Sequence, residues 1–367
     1  MIRLGILSLE HPHAAGNHFP ALRYIADRVK VAAIWHPDRA VAQPWLDLFT
    51  ADYCAEREAL LCRDDLDAVL ITSRNHEHAT DAIAAAEAGK DVCCDKPIST
   101  TAADAETLVD TINRTGVRFI TTFPVRFNTS VRRLKQAVDA GELGTIRAIM
   151  ATNHGCMYEP GAPDWVRDPQ QNGGGCLIDH TVHVADILRW LTGAEFATVR
   201  AEAATALHSM AAEDIGVLHG EMTDGTLYQI DASWSRRDRD PMWGDVTFRV
   251  VGTRGAASLD LYNNQRIEIY DRAGTHFQYP NHLVREHAEI FLDYAASKTQ
   301  GRPSLCADAA DGLRTVELVC AAYESVRSSS RVEVRRHRCA SSPAPLLKER
   351  GDALTPGPSP KIGRGET

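Results

Sequence analysis

Two stretches hold the side chains best suited to chemistry. The first, GKDVCCDKPIST (89–100), sets Asp95, Lys96 and Pro97 directly after the apolar run DVCC. If that run is a strand of an open parallel sheet, the triplet stands beyond its carboxyl end, where such sheets bind ligands. A lysine there can hold a hydroxyl and stabilise negative charge developing on its oxygen, from a place that adds little to the core. The second stretch, NGGGCLIDHTVHVADILRWLTG (172–193), opens on three glycines, which let backbone approach a neighbour closely. The helix after them puts Asp179, His183 and Asp186 at i, i+4 and i+7 on one face, while Ile178, Val182, Ala185, Leu188 and Leu191 make its other faces apolar. A polar stripe on so apolar a helix is buried and needs partners. His183 is a candidate general base, oriented by Asp179 one turn earlier. A solvated turn lysine and a satisfied core network are the structural alternatives.

These groups need a scaffold, and the first third of the chain supplies strand and helix signals in alternation. IRLGIL (2–7), KVAAIW (30–35), AVLIT (68–72), DVCC (91–94) and RFITTF (118–123) read as short strands; 78–90 and 101–116 read as helices. Alternation of this kind predicts a doubly wound parallel α/β sheet. The turn after the first strand is where a dinucleotide site places its glycines. Here it reads Ser8-Leu9-Glu10-His11-Pro12-His13.

Beyond about residue 125 the pattern changes. A helix (129–140) is followed by strands, among them a hairpin turning at Asp224-Gly225, then TFRVVGT, AASLDLY and RIEIYD continuing the same sheet, and two helices (285–297, 308–327) that close the domain. This predicts an α+β domain with a mostly antiparallel, open-faced sheet. The expected division is 1–125, 126–334, and a Pro/Gly/Ser-rich tail at 335–367 that reads as disordered.

Composition narrows the classes. The net charge is −9, and the tail carries +4 of it, leaving −13 for the remaining chain. So acidic a body argues against nucleic acid as a partner. No apolar run approaches the about 18 residues of a membrane span, and no secretory signal opens the chain. The expected location is the cytoplasm. Nine cysteines without C-x-x-C spacing read as small buried hydrophobes, not as a disulfide framework or zinc thiolates.

Four ordered motifs resemble those of the Gfo/Idh/MocA oxidoreductases, named for glucose-fructose oxidoreductase and inositol dehydrogenase. AGKDVCCDKPIST resembles the family's A-G-K-x-V-x-x-E-K-P segment. FPVRFNTSVRRLKQAVDAGELGTI is similar to the segment that opens its second domain, GGGCLIDHTVHVADILRWLTG to its G-G-G-x-L-x-D-x-G-x-H-x-x-D helix, and VVGTRGAASLD to its late strand pair. The resemblance spans roughly 1–334. It implies a Rossmann domain, a second domain whose open sheet joins subunits into a homodimer or homotetramer, and a bound NAD or NADP. It implies hydride transfer between that cofactor and a carbinol of a sugar, polyol or sugar acid. On this resemblance Lys96, Asp179 and His183 are catalytic, with Arg126, Trp165 and His180 joining them around the substrate. Ser8, Leu9, His11, His13, His36, Asp38, Arg39, Ser73, Asn75, His78, Asp95, Lys96 and Pro97 line the cofactor.

The chain departs from the family where the diphosphate should pass. All three glycines of G-x-G-x-x-G are replaced, by Ser8, Glu10 and His13, and the proline of P-N-x-x-H is Arg74. Glu10 would repel a diphosphate unless its side chain turns away. His36, Asp38 and Arg39 at the end of the second strand do not choose between NAD and NADP. In the family's geometry the first turn, the Lys96 turn and the Asp179 helix converge, so His11, His13, Asp95, Asp179, His180 and His183 are also candidate ligands for a divalent metal. Two other functions stand beside the dehydrogenase. One is a metal-assisted or redox-coupled hydrolase, lyase or epimerase; the other is a sugar- or nucleotide-sensing subunit with a decayed cofactor site.

Overall fold

The structure is a computed structural model; it describes residues 1–156, 163–236, 244–261, 267–271, 274–278 and 283–337. Its first lobe runs β1 (Ile2–Leu7), α1 (Phe19–Tyr24), β2 (Val29–Trp35), α2 (Arg39–Phe49), β3 (Asp52–Cys54), α3 (Arg57–Leu61), β4 (Ala68–Ile71), α4 (His78–Glu87), β5 (Asp91–Cys94), α5 (Ala102–Thr115) and β6 (Phe119–Thr121). The six strands form one parallel sheet in the order β3-β2-β1-β4-β5-β6. Leu4, Ile6, Leu70, Cys93 and Ile34 are buried because helices cover both faces, which explains strands apolar on both sides. Strand order reverses between β1 and β4, and the crevice outside their carboxyl ends is the ligand position of such sheets. The three-residue β3 carries no apolar run and was not legible as a strand.

The second lobe contributes α6 (Thr129–Asp139), β7 (Ile146–Thr152), α7 (Pro169–Asn172), α8 (Cys176–Thr192), β8 (Phe196–Ala204), β9 (Ile215–Met222), β10 (Leu227–Asp231), β11 (Thr247–Gly252), β12 (Ala256–Asp260), β13 (Ile267–Asp271), β14 (Gly274–Gln278), α9 (Leu283–Gln300), α10 (Ala309–Ser328) and β15 (Val332–Glu333). Seven strands pair in the order β12-β11-β7-β10-β9-β8-β15, all antiparallel except β7 with β10. The β9–β10 hairpin turns at Asp224-Gly225, where Gly225 takes φ +84°. Burial alternates along β9 and β10: Leu218, Tyr228 and Ile230 enter the core while His219, Leu227 and Gln229 face out.

Three expectations change. Ile267–Asp271 of RIEIYD does not extend this sheet; among the described residues β13 pairs with β14 alone. Helix α9 does not close the second lobe: Ala288, Ile290, Phe291 and Tyr294 join the first lobe's core with Ile2, Leu22 and Ile34. The hydrophobic period showed that α9 needs a partner, not which one. Packing also continues past residue 334, because His337 N–H donates to Glu317 Oε1 at 2.7 Å and Arg314 holds the His337 carbonyl at 3.0 Å. Residues 338–367, most of the expected disordered tail, lie outside the described residues.

Candidate active site

Lys96 follows β5 and is almost fully buried, at 2% exposure. The expectation that it adds little to the core is therefore wrong. Its Nζ donates to the Asp179 carboxylate Oδ1 at 2.5 Å and to the Asp179 carbonyl at 3.1 Å. Asp179 lies in the first turn of α8, and its other oxygen, Oδ2, accepts the Trp234 indole N–H at 3.2 Å. His180 Nε2 stands 3.3 Å from the same oxygen. Burial alone would raise the Asp179 pKa, but Lys96 and then His180 outweigh it and hold the carboxyl well below its usual range.

This arrangement corrects the proposed Asp179–His183 pair. The Asp179 carboxylate is shared among Lys96, Trp234 and His180, and among the described residues His183 Nδ1 is buried without a hydrogen-bond partner. The His183 ring lies edge-on to Phe123, 5.8 Å between centroids. Burial first, and then the Lys96 charge, push its pKa well below the ordinary histidine value, so the imidazole is neutral around pH 7. Asp186, the third member of the stripe, is fully buried and binds Arg126 in a fork, Nε–Oδ2 at 2.7 Å and Nη2–Oδ1 at 2.5 Å. Arg126 also reaches Asp311 at 2.9 Å. It is a buried bridge between α8 and α10, its guanidinium committed to their carboxylates.

The three glycines serve packing. Gly173 and Gly174 take φ +87° and +141°, and a Cβ on Gly174 would lie 1.8 Å from the Tyr323 hydroxyl. Gly175 is as tight, its Cβ falling 2.0 Å from the Glu213 carbonyl oxygen. Glu213 Oε1 then accepts N–H groups of Gly175 and Leu177 and the Tyr323 hydroxyl, fixing the start of α8 and thus Asp179.

The first turn gathers a second cluster. Ser8 adopts φ +72°, the conformation a glycine would take more readily. Helix begins at Pro12, and a π turn over Ala14–His18 places His13 and His18 on the same carboxylate, Asp95. His11 Nδ1, His13 Nδ1 and His18 Nε2 stand 3.3, 3.2 and 3.2 Å from Asp95 Oδ2. Sequence reasoning missed His18, whose spacing of seven from His11 was a readable signal, and Trp234, which only the fold brings to Asp179. Of the six candidate metal donors, His11, His13 and Asp95 meet in one group; Asp179, His180 and His183 surround the Lys96 ammonium instead.

The other predicted cofactor residues lie around the strand ends. Glu10 turns aside to His36 (3.3 Å) and Arg74 (3.5 Å). Arg74, which replaces a family proline, thus neutralises Glu10, which replaces a family glycine. Leu9 packs on the first core, and Trp165 Nε1 donates to the Glu10 carbonyl at 3.2 Å. His78 bridges the Ser73 and Pro97 carbonyls at 3.0 and 2.7 Å. Asn75 donates to Asn172, and its own Oδ1 is buried without a partner among the described residues. Asp38 caps α2 through the Ala40 N–H, and the Arg39 guanidinium lies 5.0 Å above the Tyr53 ring.

Comparison with known proteins gives the family. Residues 13–123 match the oxidoreductase family with an NAD-binding Rossmann fold, and residues 131–258 match the GFO/IDH/MocA C-terminal domain. The chain belongs to the Gfo/Idh/MocA family. The first match begins at His13, past the altered glycine positions 8 and 10. An uncharacterized oxidoreductase of Bacillus subtilis, YrbE, is 26% identical over 81% of this chain and 87% of its own length. The scyllo-inositol 2-dehydrogenase (NAD(+)) of the same organism is 26% identical over 73% and 78%. Levoglucosan dehydrogenase in complex with NADH and levoglucosan shares the fold, with a TM-score of 0.78 at 21% identity, covering 91% of this chain and all of that one. This family member is an NAD-binding oxidoreductase, and no described helix is long and apolar enough to cross a membrane.

Proposed function

We propose that Lys96 and His183 carry out hydride-transfer chemistry on a carbinol carbon of a sugar, polyol or sugar acid. The observation that carries this reading is the Lys96–Asp179 pair at the carboxyl end of β5, beside a neutral imidazole with an unused ring nitrogen. The strand-end residues fit a dinucleotide: Asn75 Oδ1 is a buried acceptor without a partner, and Arg74 and His36 offset the Glu10 charge beside the expected diphosphate path. When bound, the nicotinamide supplies the hydride acceptor or donor. Lys96 binds the reacting oxygen and stabilises its developing negative charge. Asp179 fixes the ammonium through its carboxylate and carbonyl, so little reorganisation accompanies reaction. His183 takes the hydroxyl proton at Nδ1, or returns it in the reverse direction. Because burial and Lys96 lower the His183 pKa, it stays able to accept a proton at neutral pH, and the acid limb of the rate profile lies below the ordinary histidine range.

The reading favours NAD over NADP. The cation at the end of β2 that could serve a 2′-phosphate is Arg39. Arg39 is committed to Tyr53 and Gln43. Association through the outer face of the second sheet, where Met150 and Leu227 are exposed, completes the proposal. The test is His183→Ala: kcat falls by about 10²–10⁴-fold while NADH affinity is retained. Unchanged kcat would move the proton transfer to another group.

A further inference from the structure

We propose that His11, His13 and Asp95 form a binding site for a first-row divalent cation, with His18 holding Asp95 in place. Ligating atoms of the three residues lie within 4.8 Å of one another. Asp95 is 1% exposed, and its Oδ1 is already used by the Lys96 N–H at 2.8 Å and the Thr122 hydroxyl at 3.0 Å. Its Oδ2 is left facing three imidazole nitrogens at 3.2–3.3 Å. A tetrahedral ion with bonds of about 2.0–2.2 Å spaces its ligand atoms about 3.3–3.6 Å apart. The histidine-to-carboxylate distances thus lie at the short end of the edges of a coordination tetrahedron.

A purely hydrogen-bonded cluster explains this geometry less well. His11 Nδ1 accepts the His13 backbone N–H at 3.1 Å and so presents a lone pair. The same nitrogen faces Asp95 Oδ2 with no proton to share between them. A cation between these atoms relieves that repulsion and takes over the lone pair from the amide. His18 is outside the three-residue group, and its Nε2–H directs the carboxylate, as groups behind metal ligands commonly do. Two imidazoles and one carboxylate leave the fourth position open to water or a substrate oxygen, a donor set suited to Zn²⁺, Co²⁺ or Fe²⁺. His180 and His183 lie outside this three-residue group.

The test reads metal binding alone, so its outcome does not depend on turnover. Untagged protein is stripped with a chelator and titrated calorimetrically with Zn²⁺; Co²⁺ absorption reports the coordination. One equivalent binds per chain. His11→Ala and His13→Ala each weaken affinity about 100-fold or more, His18→Gln about 10-fold, and His183→Ala leaves it unchanged. Circular dichroism without metal establishes that each variant is folded. His13→Ala carries the test if the others unfold, since that side chain is 15% exposed. Substoichiometric Zn²⁺ binding, or affinity unaltered in His13→Ala, would overturn the proposal.

Discussion

Replacing Lys96 by methionine removes one half of a buried ion pair and leaves the Asp179 carboxylate against only Trp234 and His180. At 2.5 Å the Coulomb attraction is about 7 kcal/mol for an effective dielectric constant of about 20. Desolvation of two ions that are 2% and 6% exposed offsets much of it. Removing either partner alone still strands a charge, at a cost of about 3–5 kcal/mol in stability. Asp179→Asn strands Lys96 in the same way. The double variant Lys96→Met/Asp179→Asn strands neither, and replacing both charges of such a pair is often close to neutral. The four chains are compared by urea unfolding followed by far-ultraviolet circular dichroism. Each single variant should lose about 3–5 kcal/mol, and the double variant far less than their sum. Turnover should fall in all three. Single losses that add within about 0.5 kcal/mol would refute the coupling on which the site's architecture rests.

Ser8→Gly should stabilise the protein by about 1 kcal/mol in thermal unfolding, because Ser8 sits at φ +72° and its hydroxyl makes only a long bond, 3.4 Å, to the Glu10 N–H. Glu286 is 5% exposed and burial pushes its pKa up to about 7, against a partly offsetting hydrogen bond from Asn128. Its folded pKa lies above the unfolded value, so stability falls as pH rises from 4.5 to about 7; Glu286→Gln should recover about 3 kcal/mol above pH 7 and nothing below pH 4.5. His154 lies between Asp231 and Asp245, which raise its pKa from 6.5 to about 9. Its stabilising contribution is complete below pH 6.5 and lost as pH rises through about 9, so His154→Gln should flatten that part of the melting-temperature profile.

What the sequence shows depends on how local each cause is. Strand and helix alternation in the first lobe is local and legible, as are Gly89 and Gly193, which follow helices at φ +74° and +69°. The place of Lys96 after DVCC follows from one strand and one turn. Its burial does not, because the acid that holds it is 83 residues away. Helical period correctly set Asp179, His183 and Asp186 on α8, but period cannot say which group takes a carboxylate. Lys96 took one and Arg126 another, each from the first lobe or the junction. The glycine triplet was legible as a close approach; Tyr323, 148 residues from Gly175, was not legible as its cause. At the first turn the lost glycines read as damage to a nucleotide site. Only the folded chain shows Arg74 and His36 drawing Glu10 aside.

The most direct test of the account is nicotinamide absorbance in single turnovers of wild type and Lys96→Ala with NAD⁺ and a panel of inositols, anhydro-sugars, glucosides and sugar acids. The account predicts NADH formation by wild type with at least one polyhydroxylated substrate, slowed about 10²–10⁴-fold in Lys96→Ala while NADH still binds. Failure of wild type to bind NAD(H), or undiminished turnover in folded Lys96→Ala, would contradict it.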